Sequence, residues 1–138
     1  MSEMFLPRFM IAAPNSGSGK TTVVCALLKA LLDQEYKVAA FKSGPDYIDP
    51  MFHSRVIGAK SRNLDLFMLG RETTKYLLAK NAGDCDIAVL EGAMGFYDGM
   101  GKTEQCSAYD LARVTKTPVI LVINGKGAAL SLAALIKG

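Results

Sequence analysis

The 138-residue chain carries 16 basic and 13 acidic side chains for a net charge of +3, and half of its residues are apolar. That is material for one compact domain with a single core, and a small charge excess without a long basic run gives no support to a nucleic-acid or membrane-surface role, while an anionic small molecule fits it well. No apolar stretch approaches the roughly 20 residues that span a bilayer, and the amino terminus lacks the order of a signal peptide, so the expected location is cytoplasmic.

In chain order, Arg8 to Ala13 (RFMIAA) reads as a short buried strand, and Thr21 to Leu32 repeats apolar residues at helical spacing, with a glycine-rich loop between them. Lys37 to Lys42 (KVAAFK), Asp86 to Glu91 (DIAVLE) and Pro118 to Asn124 (PVILVIN) are nearly continuous in apolar residues, as strands buried on both faces of a parallel sheet should be. Helices are expected over Arg71 to Asn81, Ala108 to Thr115 and Ala128 to Lys137, long enough to be right-handed crossovers that cover the sheet. The expected fold class is therefore α/β, three-layered and P-loop-like, with a mainly parallel sheet. Ser43 to Leu64 and Gly92 to Ser107 are too long and polar to be simple turns. Both leave the carboxyl end of a strand, the edge at which open α/β sheets hold ligands. Cys25, Cys85 and Cys106 form no CxxC pair, and Cys25 is expected to be a small buried thiol without chemistry. The alanine- and leucine-rich end, GAALSLAALIKG, suggests a piece of a longer protein, so residues 1–138 are taken as one truncated ATP-binding domain.

Residues 14–22, PNSGSGKTT, match the phosphate-binding pattern GxxxxGK[ST] except that Pro14 stands for the first glycine. Main-chain amides of Asn15, Ser16, Gly17, Ser18 and Gly19 and the start of the helix at Lys20, Thr21 and Thr22 are suited to phosphate oxygens. Lys20 is expected at the terminal phosphates of ATP and the Thr21 hydroxyl on Mg2+. Glu91 closes an apolar strand, where a carboxylate is costly unless a cation or hydrogen bonds compensate it, and it is the expected partner of the metal. Asp98, between Tyr97 and Gly99, is as well explained as a turn residue as by a functional role. KSGPDYIDP brings Lys42, Asp46 and Asp49 to the ligand edge, with function favoured over turn chemistry most for Asp46. The lone histidine, His53, reads as a hydrogen-bonded loop residue.

PNSGSGKTT, FKSGPDYIDPMFH, NLDLFMLG and LEGAMGFYDG, in that order, resemble the amino-terminal domain of the cobyrinic acid a,c-diamide synthase family, within a wider dethiobiotin synthetase-like group. The resemblance implies ATP-dependent amidation of tetrapyrrole side-chain carboxylates, through an acyl phosphate, in cobalamin biosynthesis. It implies that ammonia comes from a carboxyl-terminal glutamine amidotransferase domain of which this sequence has no trace. Lys20, Lys42, Asp46 and Glu91 would then be catalytic, with Thr21, Glu91 and Asp46 at the metal and Tyr47, Asp49 and Asp98 shaping the substrate or metal site. Nickel sirohydrochlorin and hydrogenobyrinic acid are related substrates, so the tetrapyrrole stays open, as does assembly, with a homodimer allowed. A partitioning or metallochaperone-type ATPase switch is the rival from another class. Those proteins place a second lysine early in the P-loop, where this chain has Pro14, Asn15 and Ser16.

Overall fold

The computed structural model describes residues 5–44 and 58–138. Its centre is a five-stranded, all-parallel sheet in the order β3-β2-β4-β1-β5. The strands are β1 (Arg8–Ala12), β2 (Val38–Ser43), β3 (Lys60–Leu64), β4 (Ile87–Glu91) and β5 (Val119–Leu121), and the helices are α1 (Lys20–Asp33), α2 (Leu66–Ala82), α3 (Ala108–Thr115) and α4 (Ser131–Lys137).

The period of two along each strand sorts the core into two layers. Met10, Ala12, Ala39, Phe41, Ala88 and Leu90 face α2 and α3, where they meet Leu66, Leu78, Ala82, Ala108, Leu111 and Ala112. Ile11, Val38, Ala40 and Val89 face the other way onto Val24 and Leu28 of α1. Connection handedness explains the division. From β1 to β2 the chain moves across β4 toward one edge and carries α1 over one face; from β3 to β4 and from β4 to β5 it moves back the other way, so right-handed crossovers lay α2 and α3 on the opposite face. The expected three layers are present.

Four expectations need correction. Ser43 to Leu64 is not only a connection: it ends in β3, whose sequence KSRNL alternates exposure and burial. An edge strand is held by backbone bonds to one neighbour, here β2, and needs no continuous apolar run, so the hydrophobic pattern did not reveal it. Strand β5 is shorter than Pro118 to Asn124, and instead of being covered on both faces it exposes Ile120 and Leu121. Cys25 is only partly buried, because on α1 the core-facing positions are Val24 and Leu28. Helix α2 also begins earlier than expected, at Leu66 behind an Asp65 cap, and is kinked at Gly70, where φ is 74°.

The Gly92–Ser107 connection is anchored at its far end by Asp110, which is 4% exposed. Its carboxylate accepts from the Cys106 amide at 2.9 Å and from Arg113 at 2.9 Å, with Arg71 of α2 at 3.8 Å, while its own amide donates to the Ser107 hydroxyl at 3.1 Å. Burial pushes the Asp110 carboxyl up, but the Cys106 amide and the two guanidinium groups outweigh it and hold the group below its ordinary value of 3.8. A carboxylate depressed in the folded state adds stability above its unfolded value, and that contribution is lost as pH falls through the folded value. Asp110→Asn is therefore expected to lower stability at pH 7 by about 1–3 kcal/mol. Urea unfolding should show the gap to the parent narrowing below pH 4.

Candidate nucleotide and acceptor site

The P-loop runs from the end of β1 into α1. Gly17 and Gly19 have φ of 78° and 87°, and a Cβ at either would meet nothing within 4 Å, so the left-handed backbone, not crowding, is what requires glycine. Asn15 and Ser16 are exposed, and Ser18 Oγ donates both to the Asn15 carbonyl at 3.1 Å and to Asn15 Oδ1, which closes the loop on itself. Gly19, at the cap position, offers no side chain to the first turn of α1, leaving amides there suited to an anion. Thr21 and Thr22 follow, both exposed. Lys20 is 8% exposed, and its Nζ donates to the Met94 carbonyl at 3.2 Å.

Alternation and register bring the charged residues together. Val89 faces α1, so Glu91 two positions on does too; Ala40 faces α1, and so does Lys42. Lys42 and Glu91 are register partners on β2 and β4. Glu91 is fully buried. Its Oε1 accepts from the Thr21 hydroxyl at 2.8 Å and lies 3.1 Å from Lys42 Nζ, while Oε2 has no hydrogen-bond partner among the described residues. Thus Thr21 from the P-loop, Glu91 from β4 and Lys42 from β2 meet at one carboxylate oxygen.

This cluster fits magnesium. Its donors are a hydroxyl and a carboxylate with a spare buried oxygen, which are hard ligands, and Mg2+ at a nucleotide takes one or two protein oxygens and completes its shell with phosphates and water. Among the described residues no three His, Cys, Asp or Glu side chains gather as a protein-only cage. The third expected ligand, Asp46, lies outside the described residues with Tyr47, Asp49 and His53.

The loop after β4 packs against the P-loop stem. The Gly92 amide donates to the Ile11 carbonyl at 2.9 Å and Phe96 N to the Ala13 carbonyl at 2.8 Å. A Cβ on Gly95 would stand 2.6 Å from the Pro14 carbonyl and 2.3 Å from Asp98 Oδ2, so only glycine fits. Asp98 accepts from Gly95 N at 3.1 Å, which is turn chemistry, and also lines a groove of about 330 Å3 with Lys42, Asp65, Phe67, Met94 and Met100. Sequence reasoning did not find the Met94 carbonyl, a main-chain group with no residue-type signal, nor Phe67 and Met100. The Leu-Asp-Leu-Phe run, an acid at a helix start, was the available sign of where Phe67 would emerge.

The model of the CobQ/CobB/MinD/ParA nucleotide binding domain family matches residues 9–124. The chain belongs to that family. It is 52% identical over 135 residues to the cobyrinate a,c-diamide synthase of Thermoplasma volcanium, 98% of this chain and 30% of that protein. With the enzyme of the same name from Saccharolobus solfataricus the identity is 44% over 96% of this chain and 30% of the other. With the hydrogenobyrinate a,c-diamide synthase of Streptomyces coelicolor it is 46%, over 96% of this chain and 28% of the other. The chain therefore spans about 30% of the length of these curated relatives. The expected family and α/β P-loop fold are both borne out. No helix among the described residues is long and apolar enough to cross a membrane.

Removing Lys42 strands a buried carboxylate. Lys42→Met should destabilise the fold by about 3–5 kcal/mol, and combining it with Glu91→Gln should recover part of that loss. A double-mutant cycle by chemical denaturation is expected to give a coupling of about 0.5–3 kcal/mol; additive losses would show that the pair does not interact.

Proposed function

We propose that this chain is the ATP-binding part of a ligase that amidates side-chain carboxylates of a cobyrinate-like tetrapyrrole, in cobalamin biosynthesis in the cytoplasm. The observation that carries the reading is the meeting of Thr21, Glu91 and Lys42 at one oxygen beside the P-loop, in a chain whose relatives are named for this amidation. The acceptor carboxylate attacks the γ-phosphorus of ATP with departure of ADP, giving an acyl phosphate. Ammonia then attacks the acyl carbon and phosphate leaves, so that the carboxylate becomes a carboxamide. Phosphoryl transfer needs positioning and charge neutralisation more than a covalent nucleophile.

Each residue has a part in that chemistry. Lys20, already close to the loop after β4, neutralises charge on the terminal phosphates. Lys42 steadies Glu91 and presents a positive charge to the incoming carboxylate. Thr21 and Glu91 would hold Mg2+, which when bound supplies charge neutralisation on the phosphate oxygens. Asp46, Tyr47, Asp49 and Asp98 keep the substrate and metal roles that the resemblance implies, and the ammonia is that of a glutamine amidotransferase domain outside this chain. The early P-loop residues Pro14, Asn15 and Ser16 favour this reading over a nucleotide-driven dimerising switch.

Calorimetry should show that ATP binds only with Mg2+ and that Lys20→Ala removes most of the affinity. Glu91→Gln should raise the Mg2+ concentration needed more than it weakens the nucleotide itself. Steady turnover of ATP that depends on cobyrinic acid and ammonia in the full-length protein supports the ligase; ATP hydrolysis indifferent to both would sink it.

A further inference from the structure

The groove beside Lys42 has a wall that the phosphoryl-transfer chemistry does not use. Phe67 is 65% exposed, Met94 55% and Met100 42%, and all three line it. Phe67 comes from the start of α2 and Met94 and Met100 from the loop after β4, and the backbone fixes both segments in place. The Gly44 amide donates to the Leu64 carbonyl at 3.0 Å, so the exits of β2 and β3 are tied together. Asp65 then accepts from Phe67 N at 3.0 Å, setting the turn that carries the ring out of the sheet edge. Across the groove, Met100 N donates to the Gln105 carbonyl at 2.9 Å and Gly99 N to the Thr103 carbonyl at 3.0 Å, in a loop so close that a Cβ on Gly99 would stand 2.3 Å from the Gln105 carbonyl. Large apolar side chains held in solvent on a defined backbone, at the ligand edge of a sheet, mark a binding surface.

The charges in the groove restrict what it can take. Lys42 is the one cation among the described lining residues. The two acids that line it, Asp65 and Asp98, each accept from a backbone amide, Phe67 N and Gly95 N, which satisfies part of their charge within the protein. A ligand that suits this arrangement has a broad apolar face and carboxylates at its rim. A small aliphatic acid would reach Lys42 and leave Phe67 and Met100 in water. Methionine is well matched to a polarisable ring, because its thioether adapts to the shape above it.

We propose that Phe67, Met94 and Met100 form the seat for the apolar face of the acceptor's macrocycle, and that this seat directs one peripheral carboxylate toward Lys42. The inference rests on the tetrapyrrole reading given above and adds the residues that select for ring size. Phe67 and Met100 are the specificity-determining pair, since both are exposed and both lie outside the P-loop segment.

The test is a titration of cobyrinic acid, followed by its visible absorbance, into the full-length protein and its Phe67→Ser, Met100→Ser and Phe67→Leu variants, with Mg2+-ATP affinity measured in parallel. Each serine variant should weaken cobyrinic acid binding by about tenfold or more, the worth of one apolar side chain uncovered. Phe67→Leu should restore most of it, and Mg2+-ATP affinity should stay at the parent value in all three. If the parent binds cobyrinic acid and the serine variants bind it equally well, the seat is wrong and the ligase reading stands. If the parent binds Mg2+-ATP but not cobyrinic acid, the acceptor reading fails and the seat falls with it. Parallel loss of ATP affinity in the serine variants would overturn the assignment by showing that they act through the fold.

Discussion

Everything at the functional edge depends on a carboxylate placed where solvent cannot reach it. Glu91 is fully buried at the end of an otherwise apolar strand. An isolated buried carboxylate is strongly unfavourable, so its neighbours must answer it. Lys42 supplies the charge and Thr21 a hydroxyl, both to Oε1, which leaves Oε2 for a ligand. One residue thereby ties together three structural units: the P-loop helix, the strand that leads into the KSGPDYIDP segment, and the loop that leaves β4. Replacing a buried ion pair by well-packed apolar side chains is often neutral or stabilising for a fold. Its persistence at a ligand edge is better explained by what the spare oxygen can bind.

Strand order is what makes that meeting available. With β4 lying between β1 and β2, the P-loop strand and the Lys42 strand both neighbour Glu91, although they are consecutive in sequence and not adjacent in space. The chain gaps a strand between β1 and β2 and fills it later. The crossover α1 lies over that gap, and its first turn delivers Thr21 to the same face as Glu91 and Lys42. A one-residue slip of β2 against β4 would turn Lys42 to the α2 and α3 face and leave Glu91 unanswered, so the ion pair and the hydrophobic alternation enforce one register together.

The legible parts of the sequence were those with a strong local cause. The P-loop follows from its glycines and Lys20-Thr21, and the central strands from apolar runs such as VAAF and AVL, which are buried on both faces. Helix α3 was readable to the residue, because Ser107 caps it and Thr115 ends its apolar face. Glu91 was readable because an acid closing a buried strand is anomalous. Most of what escaped has no residue-level signal. Strand β3 is polar and held by main-chain bonds, the Lys20 partner is a carbonyl, and Asp110, which looks like one more helix-surface acid, becomes an anchor only when Arg71 arrives from α2.

The Lys20–Met94 bond links the P-loop to the groove beside Lys42. A P-loop lysine 8% exposed and bonded to the loop after β4 holds that loop by its main chain, and the same residue, Met94, lines the groove beside Lys42. Met94 adopts φ of 51°, a conformation that L residues other than glycine, asparagine and aspartate visit rarely, so the loop is fixed there by its contacts and not by intrinsic preference. Lys20 and Thr21, adjacent in the chain, thus reach the groove by two routes, one through the Met94 carbonyl and one through Glu91 to Lys42. Phosphate oxygens would compete for Lys20 with that carbonyl, and a cation would compete with Lys42 for the Glu91 oxygens. Both competitions would act on groups beside the groove, since Met94 and Lys42 line it.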